Sequence, residues 1–192
     1  MAEQPTQEVW LIRHAETEWS RDGRHTGVTD VSLTDEGREA ARALGDRVGD
    51  RRFALVLTSP LERARETAAL AGLGRGAQIR DDLLEWNYGE YEGVTTAEIR
   101  ETRPGWYLWT DGAPGGESPA EVSARCDRVI EEVLRVEGDV ALVAHGHILR
   151  ALGARWVEEE VEFGGRLYLG TGTLSVLGWE REVRVVRSWN AV

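Results

Sequence analysis

The chain has 192 residues, enough to bury the core of one domain and too few for two full ones, so a single domain over 1–192 is expected. A formal net charge of -11 disfavours nucleic acid and membrane surfaces as partners, because both are polyanionic and repel an acidic protein at long range. The single cysteine, Cys126, excludes an internal disulfide and a Cys-based zinc cluster.

The first residues, "MAEQPTQE", lack a basic region followed by an apolar core, and no apolar run approaches the roughly 20 residues that span a bilayer, so a cytoplasmic location is expected. "EVWLIRH" then reads as a buried strand that ends on Arg13 and His14. "LTDEGREAARALGDRV" reads as a helix with Thr34 as its N-cap and Ala41, Leu44 and Val48 along one face. The alternation repeats in "FALVLTSP", an apolar run ending in small polar residues, and "LERARETAALAGLG", a helix closed by glycine. A third unit follows much later, with "DVALVAHGH" as strand and "ILRALGARWV" as helix. Between the second and third units, residues of about 86–120 are rich in Gly, Pro and Trp and read as an inserted lid. The chain closes on "LSVLGWEREVRVVRSW", a hairpin turning near Glu180 to Glu182 at a sheet edge. Strands alternating with helices predict a three-layer α/β/α fold. Its sheet is mostly parallel with helices on both faces, and ligands bind beyond the carboxyl ends of the strands.

That topology makes neighbours of the three strand ends. The first delivers Arg13 and His14, the loop and helix after the second deliver Arg63, and the third delivers His145. Four cationic or potentially cationic groups in one crevice of an acidic protein require an anion, since unpaired buried charge is costly. A phosphoryl group suits them: guanidinium forks bind its oxygens, backbone N–H groups at Gly146 and the following helix add donors, and an imidazole can attack phosphorus. All 23 cationic residues are arginine.

The segments "RHAETEW", "GRHTG", "LT..G", "TSPLERARET", "LLEWNYGEYEG", "GGES" and "AHGH" resemble, in order, the signature of the histidine phosphatase superfamily in its phosphoglycerate-mutase-like branch. The likeness covers roughly residues 9 to 150, and in the insertion it is closest to bacterial acid phosphatases of that branch, less so to its sugar bisphosphatases. The resemblance implies a phosphohistidine intermediate and no metal or other cofactor. Carried over residue by residue, it makes His14 the nucleophile, Arg13 and Arg63 the clamps on nonbridging oxygens, His145 a protonated fourth clamp, and Glu85 the acid that serves the leaving alkoxide and then the water. Thr26, Gly27 and Gly146 match positions that touch phosphate. The chain departs from the pattern at Ala15, where glycine is common, and at Ser20, where asparagine is usual; Ser20 can still donate to phosphate, with a shorter reach. His147 stands where mutases carry asparagine, and its role, like that of His25, is open.

The expected function is therefore hydrolysis of small phosphomonoesters, sugar phosphates among them. A small phosphorylated metabolite is the partner and a homodimer is compatible with the sequence. A phosphoglycerate mutase is the alternative, disfavoured because Trp86 and Asn87 follow Glu85 where mutases place an arginine, and because Arg100 and Arg103 are separated and followed by Pro104. A non-catalytic phosphate-binding module is the other, disfavoured because His14, Arg13, Arg63, Glu85 and His145 are all present. A metal pair at His145 and His147 lacks further ligands.

Overall fold

A computed structural model describes residues 6–192. The reading of "MAEQPTQE" therefore rests mainly on residues outside the described ones. Six strands form one mixed sheet in the order β3-β2-β4-β1-β5-β6. They are β1 (Val9–Arg13), β2 (Leu55–Thr58), β3 (Gln78–Ile79), β4 (Val140–Ala144), β5 (Leu174–Glu180) and β6 (Val183–Ala191). The first four in spatial order run parallel, whereas β5 is antiparallel to β1 and β6 antiparallel to β5. The expected closing hairpin lies at that edge and turns at 181–182, with Arg181 in the left-handed region at φ 56°.

Side-chain alternation along the strands builds the layers. In β4, every residue of which is buried, Val140, Leu142 and Ala144 face a core shared with α6 (Pro119–Leu134) and α7 (Gly146–Trp156). Ala141 and Val143 face the opposite way, against Leu44 and Val48 of α2 (Asp35–Val48) and Ala68 of α3 (Glu62–Leu70). A central strand apolar on both faces reads as a continuous hydrophobic run, which is what "VALVA" is. Truncating one such residue, Leu142, to alanine would cost about 2–5 kcal/mol through lost contacts and a residual cavity.

Local chemistry sets the helix starts. Thr34 caps α2 by accepting the Gly37 N–H, and α3 ends before Gly72, which adopts φ 78°. Ser118 and Glu121 cap α6 reciprocally, with Pro119 in its first turn. The segment between β3 and α6 carries two short helices, α4 (Thr96–Thr102) and α5 (Leu108–Asp111). Its Trp86, Trp106 and Trp109 are buried in the larger core. Acidic residues 158–160 and Glu162 are solvated. Among the described residues no helix is long and apolar enough to cross a membrane.

Strand register positions the candidate site. Arg13 pairs with Ala144, and Thr58 with Val143, so β1, β4 and β2 end side by side.

Candidate active site

The nucleophile candidate is held by the chain that carries it. Just past β1, the His14 N–H donates to the Ala144 carbonyl and the His14 carbonyl accepts from Gly172, so the residue is pinned on both sides. Its Nδ1–H donates to the Ala15 carbonyl at 2.7 Å, leaving Nε2 as the nitrogen with a free lone pair. The following backbone is fixed in turn, because the Ala15 N–H donates to Thr67 Oγ1, whose hydroxyl donates to the Arg63 carbonyl. Ala15 is absent from the positive-φ residues, so alanine fits where glycine is common. Burial, reinforced by the Arg13 and Arg63 charges, holds the His14 pKa well below the usual imidazole value. A buried neutral imidazole is a competent nucleophile.

His14 opens onto a cavity of about 260 Å³, lined also by Arg13, Ser20, Thr26, Glu85 and Gly146. The Arg13 guanidinium donates from Nη1 to the Leu169 carbonyl, whereas its Nε is buried with no protein partner among the described residues. Gly146 lies flat against it: a Cβ there would come within 3.1 Å of Arg13 Cζ. The guanidinium is therefore not fully satisfied by protein partners, and it lines the cavity as a cation suited to an anion.

Arg63 and His145 are placed differently from the expectation, as the wall behind His14 and not as cavity lining. Arg63 donates from Nη1 to the Thr29 carbonyl, from Nη2 to the Thr26 and Gly27 carbonyls, and from Nε to His145 Nδ1 at 3.1 Å. One Nη1 hydrogen remains. Its guanidinium thus tethers the 26–29 loop and orients His145. His145, expected to be protonated beside a phosphate dianion, is neutral in this structure, because a nitrogen that accepts from a guanidinium carries no proton of its own. Burial and the Arg63 charge push the His145 pKa well below its usual value, and Nε2–H donates to Ser59 Oγ at 2.7 Å. The rings of His14 and His145 lie 5.1 Å apart between centroids.

Glu85 is nearly buried and serves as a cap from a distance. Its Oε1 accepts from the Trp86 and Ile148 N–H groups and its Oε2 from His147 N–H, all at 2.9 Å. His145, the N-cap residue of α7, makes no side-chain cap bond, so the Glu85 carboxylate satisfies that helix end. The loop carrying Glu85 is fixed by Arg125, which donates to the Asp82, Leu84 and Glu85 carbonyls and pairs with Glu117 at 2.7 Å.

The other expected contacts divide. Thr26 and Ser20 line the cavity, but Ser20 Oγ also accepts from the Thr17 N–H and donates to the Thr17 carbonyl, capping α1 (Glu18–Arg21). Gly27 does not line it. Its N–H donates to Glu92, and a Cβ would meet Glu92 Oε2 and the Trp86 carbonyl at 2.7 Å, so glycine is required there by packing. His25 and His147 do line it, and both stay neutral: burial pushes His25 down to about 4 and His147 well below its usual value. His147 Nδ1 shares a 2.6 Å hydrogen bond with the Tyr88 hydroxyl. Tyr88 and Arg150, both cavity residues, escaped the sequence analysis. Helical spacing could have found Arg150, which follows Gly146 by four positions on α7 and so shares its face. Among the described residues no group of three His, Cys, Asp or Glu side chains could hold a metal ion.

The sequence matches the histidine phosphatase superfamily (branch 1) over residues 9–192. It is 43% identical over 178 residues to an acid phosphatase of Mycobacterium tuberculosis, covering 91% of this chain and 87% of that one. It is 34% identical over 161 residues to a glucosyl-3-phosphoglycerate phosphatase of the same species, covering 75% and 72%. The fold superposes on the solved structure of a Mycobacterium tuberculosis open reading frame product with a TM-score of 0.94 at 40% identity, over 97% of this chain and 98% of the other.

Proposed function

The chain belongs to the histidine phosphatase superfamily, and from that premise we propose that it hydrolyses small phosphomonoesters, sugar phosphates among them, through a phosphohistidine on His14. The observation that carries this reading is the His14 Nδ1–H bond to the Ala15 carbonyl, which leaves Nε2 unprotonated at a cavity edged by an unsatisfied arginine.

Chemistry follows from the groups present. Nε2 attacks phosphorus in line with the ester oxygen, forming the N–P bond as the P–O bond breaks. The Arg13 guanidinium and the Gly146 end of α7 stabilise charge on the nonbridging oxygens. Arg63 adds positive potential from behind the wall, and His145, bonded to Arg63 and Ser59, supports His14 from the same side. Glu85 is the acid. Oε1 already accepts two N–H bonds and Oε2 only one, so the free lone pair on Oε2 carries the proton to the leaving alkoxide. Water then attacks phosphorus, Oε2 takes its proton, and the N–P bond breaks to free His14.

Hydrolysis is favoured over transfer by what stands beside the acid. Trp86 Nε1 donates to the Glu117 carbonyl and Asn87 Oδ1 accepts from Gly89, so neither brings a cation. Arg103 is exposed and lines neither cavity at the site. Of the two insertion arginines only Arg100 lines the adjoining cavity, so the insertion offers no arginine pair to retain a bisphosphate against water.

The test is phosphate release from p-nitrophenyl phosphate in the presence of chelator. The wild-type chain should turn over, and His14→Ala should lose at least about 10³-fold in kcat. Wild-type inactivity, or activity abolished by chelator, would overturn the reading.

A further inference from the structure

A second cavity of about 200 Å³ adjoins the first, and the two share His25, Thr96, His147 and Arg150. Its far wall is apolar and aromatic, formed by Trp106, Leu108 and Trp109, with Arg100 at its rim. A phosphate seated on Arg13 beside His14 would project its ester group into this space. Arg150 stands at the junction.

The bonding of Arg150 is incomplete. Its Nε and Nη2 donate to the Gly164 and Gly165 carbonyls at 3.0 and 3.2 Å, and its Cζ lies 4.9 Å over the Trp109 ring. Those contacts fix the guanidinium plane and leave Nη1, with its two hydrogens, unengaged. No carboxylate lies within ion-pair distance of Arg150 among the described residues, whereas Arg125 and Arg155, also on α6 and α7, are each paired. Burial and the Arg13 charge disfavour its charged form, and the Glu85 carboxylate favours it. A half-buried, oriented, unpaired cation next to the proton donor is costly for the free protein unless a ligand supplies the missing charge. The only other cation lining this cavity among the described residues is Arg100, at its rim.

We propose that Arg150 is a specificity-determining residue that binds a second anionic group, carboxylate or phosphate, on the leaving alcohol. The inference rests on the phosphatase reading and narrows it: the preferred substrates are phosphomonoesters whose leaving group is itself an anion. Nη1 faces that group while Oε2 of Glu85 protonates the ester oxygen between the two sites.

Matched pairs test it. Values of kcat/KM are measured for 3-phosphoglycerate against glycerol 3-phosphate, which differ by a carboxylate, and for fructose 1,6-bisphosphate against fructose 1-phosphate, which differ by a phosphate. The wild-type chain should favour the anionic member of at least one pair by about tenfold, mainly through KM. The first pair reports a carboxylate ligand and the second a phosphate. In Arg150→Gln that ratio should collapse toward one, and Arg150→Lys should restore part of it. A purely structural Arg150 would lower both members of a pair together and leave the ratio intact, which would overturn the proposal, as would equal wild-type rates in both pairs. Absence of phosphate release from p-nitrophenyl phosphate as well would instead overturn the phosphatase reading, and the proposal with it.

Discussion

Glu85 Oε2 accepts the backbone N–H of His147 at 2.9 Å, so the acid and the first turn of α7 are one unit. A carboxylate that caps the helix opened by Gly146 cannot move without disturbing the donors at the phosphate cavity. Its free lone pair is also restricted to Oε2, which in the proposed mechanism sets the direction of proton delivery.

Replacing Glu85 by Gln tests that role. The amide keeps one acceptor oxygen but supplies no transferable proton. Turnover of an alkyl phosphate should fall about 10²–10⁴-fold, and that of p-nitrophenyl phosphate, whose leaving group needs no proton, by far less. Equal losses on the two substrates would make Glu85 a helix cap only.

Acid should destabilise the chain. All four histidines have folded pKa values pushed down, His25 to about 4 and His14, His145 and His147 well below the usual imidazole value. Unfolding releases each to about 6.5 and lets it bind a proton, so stability is greatest above that pH and is lost as pH falls below it. Urea unfolding should show a loss of at least about 3 kcal/mol between pH 7 and pH 5, each histidine contributing up to about 1.4 kcal/mol per pH unit. Constant stability across that window would mean that these histidines are not buried as neutral groups.

Arg125 supports the site from α6 without lining the cavity. Removing its guanidinium in Arg125→Met strands Glu117 and three carbonyls, and should cost about 3 kcal/mol, read as a lower denaturant midpoint at unchanged slope. Because the Glu85 carbonyl is among its partners, kcat for alkyl phosphates should fall more than for p-nitrophenyl phosphate. A stable variant with unaltered kinetics would remove Arg125 from the account.

The parts of the fold and site legible in the sequence are those set by local rules. Apolar runs ending in Arg13-His14, Thr58-Ser59 and His145 mark three strand ends, and parallel pairing brings them together in register. Thr34 and the glycine after α3 mark helix limits by chemistry that acts within a few residues. What was hidden depends on distant partners. A motif names Arg63 but cannot show that carbonyls from 26–29 and His145 take four of its hydrogens, nor that this contact leaves His145 neutral. Glu85 as the cap of α7 is a contact across 62 and 63 residues, invisible to periodicity. β3 is two residues long, too short for any pattern.

The most direct test of the account is trapping the covalent intermediate. Brief mixing with a radiolabelled phosphomonoester, acid-free quench and peptide mapping should place acid-labile, base-stable phosphate on His14, and no such label should form in His14→Ala. Label at wild-type level in His14→Ala, or label mapped to another residue, would contradict it.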